Sequence, residues 1–241
     1  MRVPRQAVIL AGGEGTRLRP ITFEISKQLI PVQGKPIMTW LVRWLHRAGV
    51  ERVLVIARAQ WATAYERWSR ENDLPIVIDV WVEQEPMGTL GAMVHAVRDQ
   101  IGDESVIVTN GDELKGLSLE TLAHRHDALL QDNPLHGATI ALIEVPNPSD
   151  YGVAELDGHR IARFHEKPAS PPSHLVSSGL YIIEPRSLDE VDHSRAFLMI
   201  EKDYFPHLAA TGRLGGCPLS GAWFDCGTIE RWEKAIREWK E

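Results

Sequence analysis

Four consecutive apolar residues, Ala7 to Leu10, run straight into Gly12, Gly13 and Gly15, and few folds have room for that junction. The apolar run reads as a strand buried on both faces, which requires structure packed on either side of its sheet. The glycines after it let bare backbone N–H groups approach an anion with no Cβ in the way. Arg17, and Lys27 ten residues beyond it, add fixed positive charge. Two better-known phosphate loops are excluded. No Gly-Lys-Ser/Thr follows the glycines at the required spacing, and Leu18 stands where a dinucleotide loop would place its third glycine. From the residues alone, Arg17 and Lys27 could also be solvated surface charges.

The strand signal recurs. Apolar residues at Ile37, Trp40, Leu41, Trp44, Leu45 and Ala48 follow the helical period, with Pro36 suited to a first helical position and Gly49 to the residue past the end. The spacing predicts helices over 36–48, 61–71 and 89–100, alternating with strands over 52–57, 76–83 and 105–109. Strands separated by helices of that length imply right-handed crossovers and a mostly parallel sheet. After a helix over 119–131 the pattern turns to strands at 137–145, 153–156, 161–166 and 178–183. Asp157-Gly158 signals a type I′ hairpin between two of them, so antiparallel strands are added in the C-terminal half. Residues 169–173 read as a surface loop. Helices over 201–211 and 228–239 follow, the second capped by Thr228 and carrying Ile229, Trp232, Ala235, Ile236 and Trp239 on one face. The expected class is α/β: a doubly wound, mostly parallel but mixed, Rossmann-like sheet in a single domain over 1–241, without an appended repeat domain.

The glycine bend belongs to a longer series. G-G-x-G-T-R-L-x-P (12–20) and K-x-L-x-P-V-x-G-K-P (27–36) are followed, in order, by EQEPMGTLGA (83–92), NGDEL (110–114), YGVAELD (151–157), FHEKP (164–168), SSGLYIIEP (177–185), IEKDYFPHL (200–208) and WFDCGT (223–228). Across nearly the whole chain this series resembles the sugar-1-phosphate nucleotidyltransferases, also called nucleotide-sugar pyrophosphorylases. The resemblance implies a Mg²⁺-dependent transfer of a nucleotidyl group from a nucleoside triphosphate to a sugar 1-phosphate, with release of pyrophosphate. It also implies a nucleotide-binding part over about 1–115 and a sugar-phosphate-binding part over about 116–241.

Asp112 stands just beyond the mouth of the strand at 105–109, and Asp225 is its natural partner for a Mg²⁺ ion, which commonly takes one or two protein carboxylates beside phosphate and water oxygens. From spacing alone either aspartate could instead end a loop as an Asx-turn residue. The catalytic set implied is Arg17, Lys27, Asp112 and Asp225, with Arg17 and the backbone from Gly13 to Thr16 on the β and γ phosphates and Lys27 on the α phosphate. Ala11, Gly12, Gly13, Gly15, Thr16, Arg17, Gln84, Gly88 and Thr89 would bind the nucleotide. Gly152, Glu166, Lys167, Ser178 and Arg195 would bind the sugar phosphate. Gly152 also reads as a plain turn glycine, and Gln84 as an ordinary polar strand end.

Two cues conflict on substrate. Ser26 before Lys27 gives SKQL as in thymidylyltransferases, whereas EPMGTLGA and IEKDYFP resemble mannose- and heptose-1-phosphate guanylyltransferases or muramate-type uridylyltransferases. Ser177-Ser178-Gly179 replaces the usual Asn-Ala-Gly near the sugar. A catalytically silent nucleotide-sugar-binding regulatory protein is the reading from another class, and it would be expected to have lost Asp112, Asp225, Lys27 or Lys167, all of which are present.

Composition removes other classes. A formal charge of −7 opposes a nucleic-acid surface. No run approaches the roughly 18 apolar residues that span a bilayer, and the start is too short in apolar residues for a signal peptide, so a cytoplasmic protein without membrane partners is expected; self-association is left open. Cys217 and Cys226 match no zinc or redox spacing and read as reduced packing residues. His124 and His126 point to different sides of their helix, which opposes a metal pair.

Overall fold

Strand and helix alternate as the periodicity requires in the computed structural model, which describes residues 3–240 apart from Asn72 and Leu74. The chain divides into two compact units, neither continuous in sequence. One takes Arg5–Pro86, Thr109–Leu117 and Gly221–Glu241; the other takes Met87–Val108 and Ser118–Ser220 with Val3 and Pro4.

In the first unit, strands Gln6–Ala11, Arg52–Arg58 and Val77–Glu83 run parallel with Arg52–Arg58 in the middle. Residues 7–11 and 53–57 are buried without a break, as continuous apolar runs in a covered parallel sheet should be. Ala11 lies opposite Ala57, so the bends after both strands leave from the same end of the sheet. Helix Ile37–Arg47 buries Ile37, Trp40, Leu41, Trp44 and Leu45, and Gly49 turns the chain with φ 94°. Both indole N–H groups of that helix donate to backbone, Trp40 to Val32 (2.9 Å) and Trp44 to Leu117 (3.1 Å), which a buried tryptophan needs.

The C-terminal helix, Ile229–Glu238, belongs to this same unit. Ala235 and Trp239 join Leu18, Ile30, Val32, Ile37, Trp40, Leu114 and Cys226 in one buried cluster, with Trp232 packed against it. The expected face is narrower than the sequence suggested, because Ile229 and Ile236 are 42% and 37% exposed. At about 100° per residue, positions 232, 235 and 239 fall within about 60°, and the two isoleucines stand to one side of that stripe.

The second unit has a mixed sheet in the order Val106–Asn110, Leu175–Ile183, Ala138–Glu144, Leu214–Pro218, Arg160–Glu166, Gly152–Asp157, the last two residues of the first strand passing into the other unit. Ala138–Glu144 pairs antiparallel with Leu175–Ile183 and parallel with Leu214–Pro218, and the hairpin Gly152–Asp157/Arg160–Glu166 is antiparallel. Antiparallel strands in the C-terminal half are therefore as expected. The turn type is not. Asp157 pairs with Arg160, so Gly158 and His159 form the loop, and positive φ at Gly158 (59°) without a matching one at His159 is the II′ pattern rather than I′. Strand Leu214–Pro218 escapes a sequence reading because Gly215-Gly216 looks like a break. A Cβ at Gly215 would stand 2.3 Å from Leu129 Cδ1, and one at Gly216 2.5 Å from Leu156 Cδ2, so the leucine side chains fill the space that larger residues there would take.

The expected helix over 89–100 is three pieces, with a π turn at Met93–Val97, and the one over 201–211 opens as a π turn, Ile200–Tyr204, before Phe205–Ala210. Pro206, which has no N–H to give the preceding turn, lies at that change. No helix among the described residues is long and apolar enough to cross a membrane. Cys217 and Cys226 are unpaired, buried thiols, and exposed His124 lies on a different face from buried His126.

His126 instead heads a buried polar relay. Its Nε2 donates to Glu184 Oε1 (3.1 Å), its Nδ1 lies 2.9 Å from the Thr139 hydroxyl, and His136 Nε2 lies 2.8 Å from the same hydroxyl. Burial, with the neighbouring His126 adding to it, pushes the His136 pKa down to about 3; Glu184 opposes this, and Arg213 and Arg160 reinforce it. The unfolded chain takes up that proton near pH 6.5. Between those values the unfolded state binds more protons, so stability is complete above about 6.5 and falls on acidification, by up to about 1.4 kcal/mol per pH unit for one group. The thermal unfolding midpoint should therefore drop from pH 7 to pH 5, and His136→Gln should flatten the slope. An unchanged slope would remove His136 from this account.

Candidate active site

Gly12 follows the first strand, and a Cβ there would come within 2.8 Å of Glu83 Oε2, so a larger residue would have to displace the end of that side chain. Gly15 takes left-handed backbone, φ 64°, and its carbonyl accepts the Thr22 hydroxyl at 2.9 Å. The chain then enters a short 3₁₀ turn, Thr16–Leu18, pinned by fully buried Leu18, which leaves Thr16 and Arg17 exposed. A cavity of about 510 Å³ adjoins the bend at Glu14, whose carboxylate Arg58 and Arg19 approach at 3.0 and 3.6 Å. Its lining includes none of the four proposed catalytic residues.

Lys27 starts a further 3₁₀ turn, Lys27–Leu29. The residues beside it are fixed from below: the hydroxyls of Ser26 and Tyr65 and the Gln28 side-chain oxygen lie 2.8–2.9 Å apart in a buried triangle. Its ammonium pairs with Asp112. Burial alone would lower the Lys27 pKa, but the Asp112 carboxylate, with Asp225 adding to it, holds the ammonium above its ordinary range. In turn burial would raise the Asp112 pKa, and Lys27 holds it below the usual carboxylate range.

Asp112 sits between strand Val106–Asn110 and a short ribbon, Glu113–Gly116 paired antiparallel with Ala222–Asp225. Asp225 lies opposite Glu113, and the Cys226 N–H donates to the Asp112 carbonyl at 3.1 Å, so the ribbon carries both candidate metal ligands at one end. Beneath them Glu113 accepts from buried Lys115 (2.6 Å), from the Trp223 indole (3.0 Å) and from Asn110 (3.0 Å). Asp225 Oδ2 accepts from Arg231 at 2.6 Å. A Cβ on Gly227 would stand 2.6 Å from Asp225 Oδ1 and 3.0 Å from Arg17 Nη2, so Gly227 marks where the arginine and the aspartate draw near. Arg17, Lys27, Asp112 and Asp225 thus gather in one unit. Two hard oxygen donors at one ribbon end suit Mg²⁺; among the described residues no group of three or more His, Cys, Asp or Glu is placed round a metal. Exposed Gln84 follows strand Val77–Glu83.

The remaining candidates lie in the other unit. Gly88 has φ 74°, and a Cβ on it would stand 2.3 Å from the Leu198 carbonyl. The Thr89 hydroxyl accepts the Ile200 N–H (3.0 Å) and donates to Glu201 (3.3 Å). Gly152 lies opposite Glu166, and a Cβ there would stand 2.3 Å from the Phe164 ring. Lys167 takes left-handed backbone, φ 47°, its N–H donates to the Tyr151 carbonyl, and its exposed ammonium pairs with Glu166 at 3.0 Å. Gly152, Glu166 and Lys167 are therefore neighbours. Ser178 and Arg195 are engaged elsewhere: the buried Ser178 hydroxyl donates to the Ala141 carbonyl (2.8 Å), and Arg195 pairs with Asp203 (2.8 Å). Glu201 is a residue that sequence reasoning missed. Burial raises its pKa, with Glu166 adding to the effect and Thr89 and Lys167 opposing it; the signal was its place in IEKDYFPHL.

The family model described as "Nucleotidyl transferase" matches residues 6–241. Similar proteins include a mannose-1-phosphate guanylyltransferase of Mycobacterium tuberculosis, 31% identical, and mannose-1-phosphate guanyltransferase beta-B of Xenopus laevis, 36% identical; the matches cover 93% and 92% of this chain. The chain spans about 61% of the length of these curated relatives. Among solved structures, HddC from Yersinia pseudotuberculosis complexed with GMP-PN matches with a TM-score of 0.78 at 25% identity, covering 97% of this chain and 99% of that one. A glucose-1-phosphate thymidylyltransferase-like protein from Bacillus anthracis, in complex with a sucrose, shares the mixed α/β fold with a TM-score of 0.83 at 24% identity, covering 96% and 94%. Because the matched span takes in the residues of both candidate clusters, from the glycine bend to the aspartate before the last helix, the chain belongs to the nucleotidyl transferase family.

Proposed function

We propose that the chain transfers a nucleoside monophosphate from a nucleoside triphosphate to a sugar 1-phosphate and releases pyrophosphate. The observation that carries this reading is the Lys27–Asp112 pair with Asp225 acting on the same ammonium, in the unit that also holds the glycine bend. We read 1–241 as one cytoplasmic catalytic domain, with a doubly wound, Rossmann-like nucleotide-binding part over about 1–115 and a sugar-phosphate part over about 116–241. Asp112 and Asp225 would hold Mg²⁺, which when bound compensates negative charge on the phosphates.

The chain's own residues do the rest. Backbone N–H groups from Gly13 to Thr16 and the Arg17 guanidinium bind the β and γ phosphates, which become the leaving group. Lys27 exchanges its Asp112 partner for an α-phosphate oxygen, and its charge is then matched to the pentacoordinate centre as a sugar-phosphate oxygen attacks in line. Such a transfer needs positioning and charge compensation rather than a protein nucleophile. Ala11, Gly12, Gln84, Gly88 and Thr89 meet the base and ribose. Gly152, Glu166 and Lys167 meet the sugar phosphate; Ser178 and Arg195 complete that set, Ser178 through its backbone. Guanylyl transfer to a mannose- or heptose-type sugar is the leading assignment, supported by the names of the similar proteins and by the GMP-PN held by HddC. SKQL (26–29) favours the second assignment, thymidylyl or uridylyl transfer to a glucose- or muramate-type sugar.

A pyrophosphate-release panel crossing five nucleoside triphosphates with several sugar 1-phosphates, with and without Mg²⁺, tests this. Release that needs GTP, mannose or heptose 1-phosphate and Mg²⁺ together is expected; no release with any pair would reject the activity. Lys167→Ala should raise KM for the sugar phosphate at least about tenfold and KM for the nucleotide less than about twofold, since charged hydrogen bonds contribute roughly 1.5–3 kcal/mol. Equal effects on both would contradict its role.

A further inference from the structure

Helix Ile229–Glu238 starts with a cation in a place that disfavours one. The Thr228 hydroxyl caps it by accepting the Arg231 N–H at 3.3 Å, so Arg231 is the third residue of the helix. There the unpaired N–H groups make the environment positive, and Glu or Gln is the usual occupant. A break in a local rule asks for a compensating contact. Arg231 has one: its Nη1 lies 2.6 Å from Asp225 Oδ2, and its side chain is only 27% exposed. The other carboxylate oxygen, Oδ1, is the one that lies against Gly227, which also approaches Arg17 Nη2. The two oxygens of Asp225 therefore have different surroundings, one tied to the helix and one on the side of the phosphate-binding arginine.

We propose that Arg231 is a positioning residue: by holding Oδ2 it fixes the Asp225 carboxylate so that Oδ1 is the oxygen offered to a divalent cation. This rests on the reading of Asp225 as a metal ligand. Partners that orient a metal ligand commonly change metal affinity by about 10–100-fold when removed, and the guanidinium fork, anchored by a capped helix, is suited to such a task.

The test uses Mn²⁺ as the probe, titrated calorimetrically into the whole protein at pH 7 in the presence of a non-hydrolysable nucleoside triphosphate. Arg231→Met should raise the Mn²⁺ dissociation constant about tenfold or more, and Arg231→Lys, which keeps a charged donor, should stay within about threefold of the parent. Equal thermal midpoints for the three proteins exclude unfolding as the cause. A smaller change in Arg231→Met overturns the proposal, as does an Arg231→Lys variant as weak as Arg231→Met. Asp225→Asn separates the two readings. If it loses Mn²⁺ while Arg231→Met does not, the positioning role alone fails; if it binds Mn²⁺ like the parent, the metal reading fails and the positioning role with it.

Discussion

Turnover by an Asp225→Ala variant should fall at least about a thousandfold with the fold intact. The reaction builds charge on a phosphorus centre, and removing one preorganised charge-compensating group there costs about 10²–10³ in rate; removing an ion's ligand takes the ion's share as well. The fold survives because what Asp225 gives the ribbon is backbone pairing with Glu113, and the last helix is held by Ala235 and Trp239 in the core, not by the Arg231 contact. Circular dichroism and a thermal melt check the fold, and pyrophosphate release checks the rate. Ordinary release from a folded variant would reject Asp225 as part of the chemistry.

The largest effect on stability should come from Lys115. Its side chain is wholly buried and its ammonium lies 2.6 Å from Glu113, itself 8% exposed. Lys115→Met leaves the Glu113 carboxyl buried with only the Trp223 and Asn110 donors. Burial already pushes the Glu113 pKa up, against the pull of Lys115 and with Asp112 adding to the rise. Breaking one side of a buried pair destabilises by about 3–5 kcal/mol, whereas replacing both partners with neutral groups of similar volume is often close to neutral. Denaturant unfolding should show that loss in Lys115→Met and recovery of most of it in Glu113→Gln/Lys115→Met. A single variant within about 1 kcal/mol of the parent would mean that the pair contributes little to the ribbon under the two aspartates.

What the sequence revealed of the site follows from how local each signal is. The glycine bend, Arg17 and Lys27 are close in sequence, and an apolar strand before a glycine run needs no distant partner to be recognised. Strands Gln6–Ala11 and Arg52–Arg58 were visible because their apolar runs are unbroken, whereas Leu214–Pro218, parallel to Ala138–Glu144, was hidden by its two glycines. The ribbon of Glu113–Gly116 with Ala222–Asp225 was not: both strands are short, Glu113 and Lys115 break any apolar pattern, and their burial makes sense only once they pair with each other and with Trp223, over a hundred residues away. Arg231 was passed over for a related reason: the Thr228 cap is legible in the sequence, but a charge near a helix start resembles a solvated face until its guanidinium is seen to reach Asp225. Ser178 shows what a motif alone leaves out: its place in the series implies a sugar contact but does not show that its hydroxyl is given to the Ala141 carbonyl, which leaves its backbone for that role.

Diffraction from crystals of the protein with Mn²⁺ and a non-hydrolysable nucleoside triphosphate, recorded at the manganese edge, shows whether Asp112 and Asp225 share one ion. An anomalous peak is expected with an oxygen of Asp112 and an oxygen of Asp225 both within about 2.3 Å of it and phosphate oxygens completing the shell. A peak bound by only one of the two carboxylates, or none near either, would contradict a shared ion.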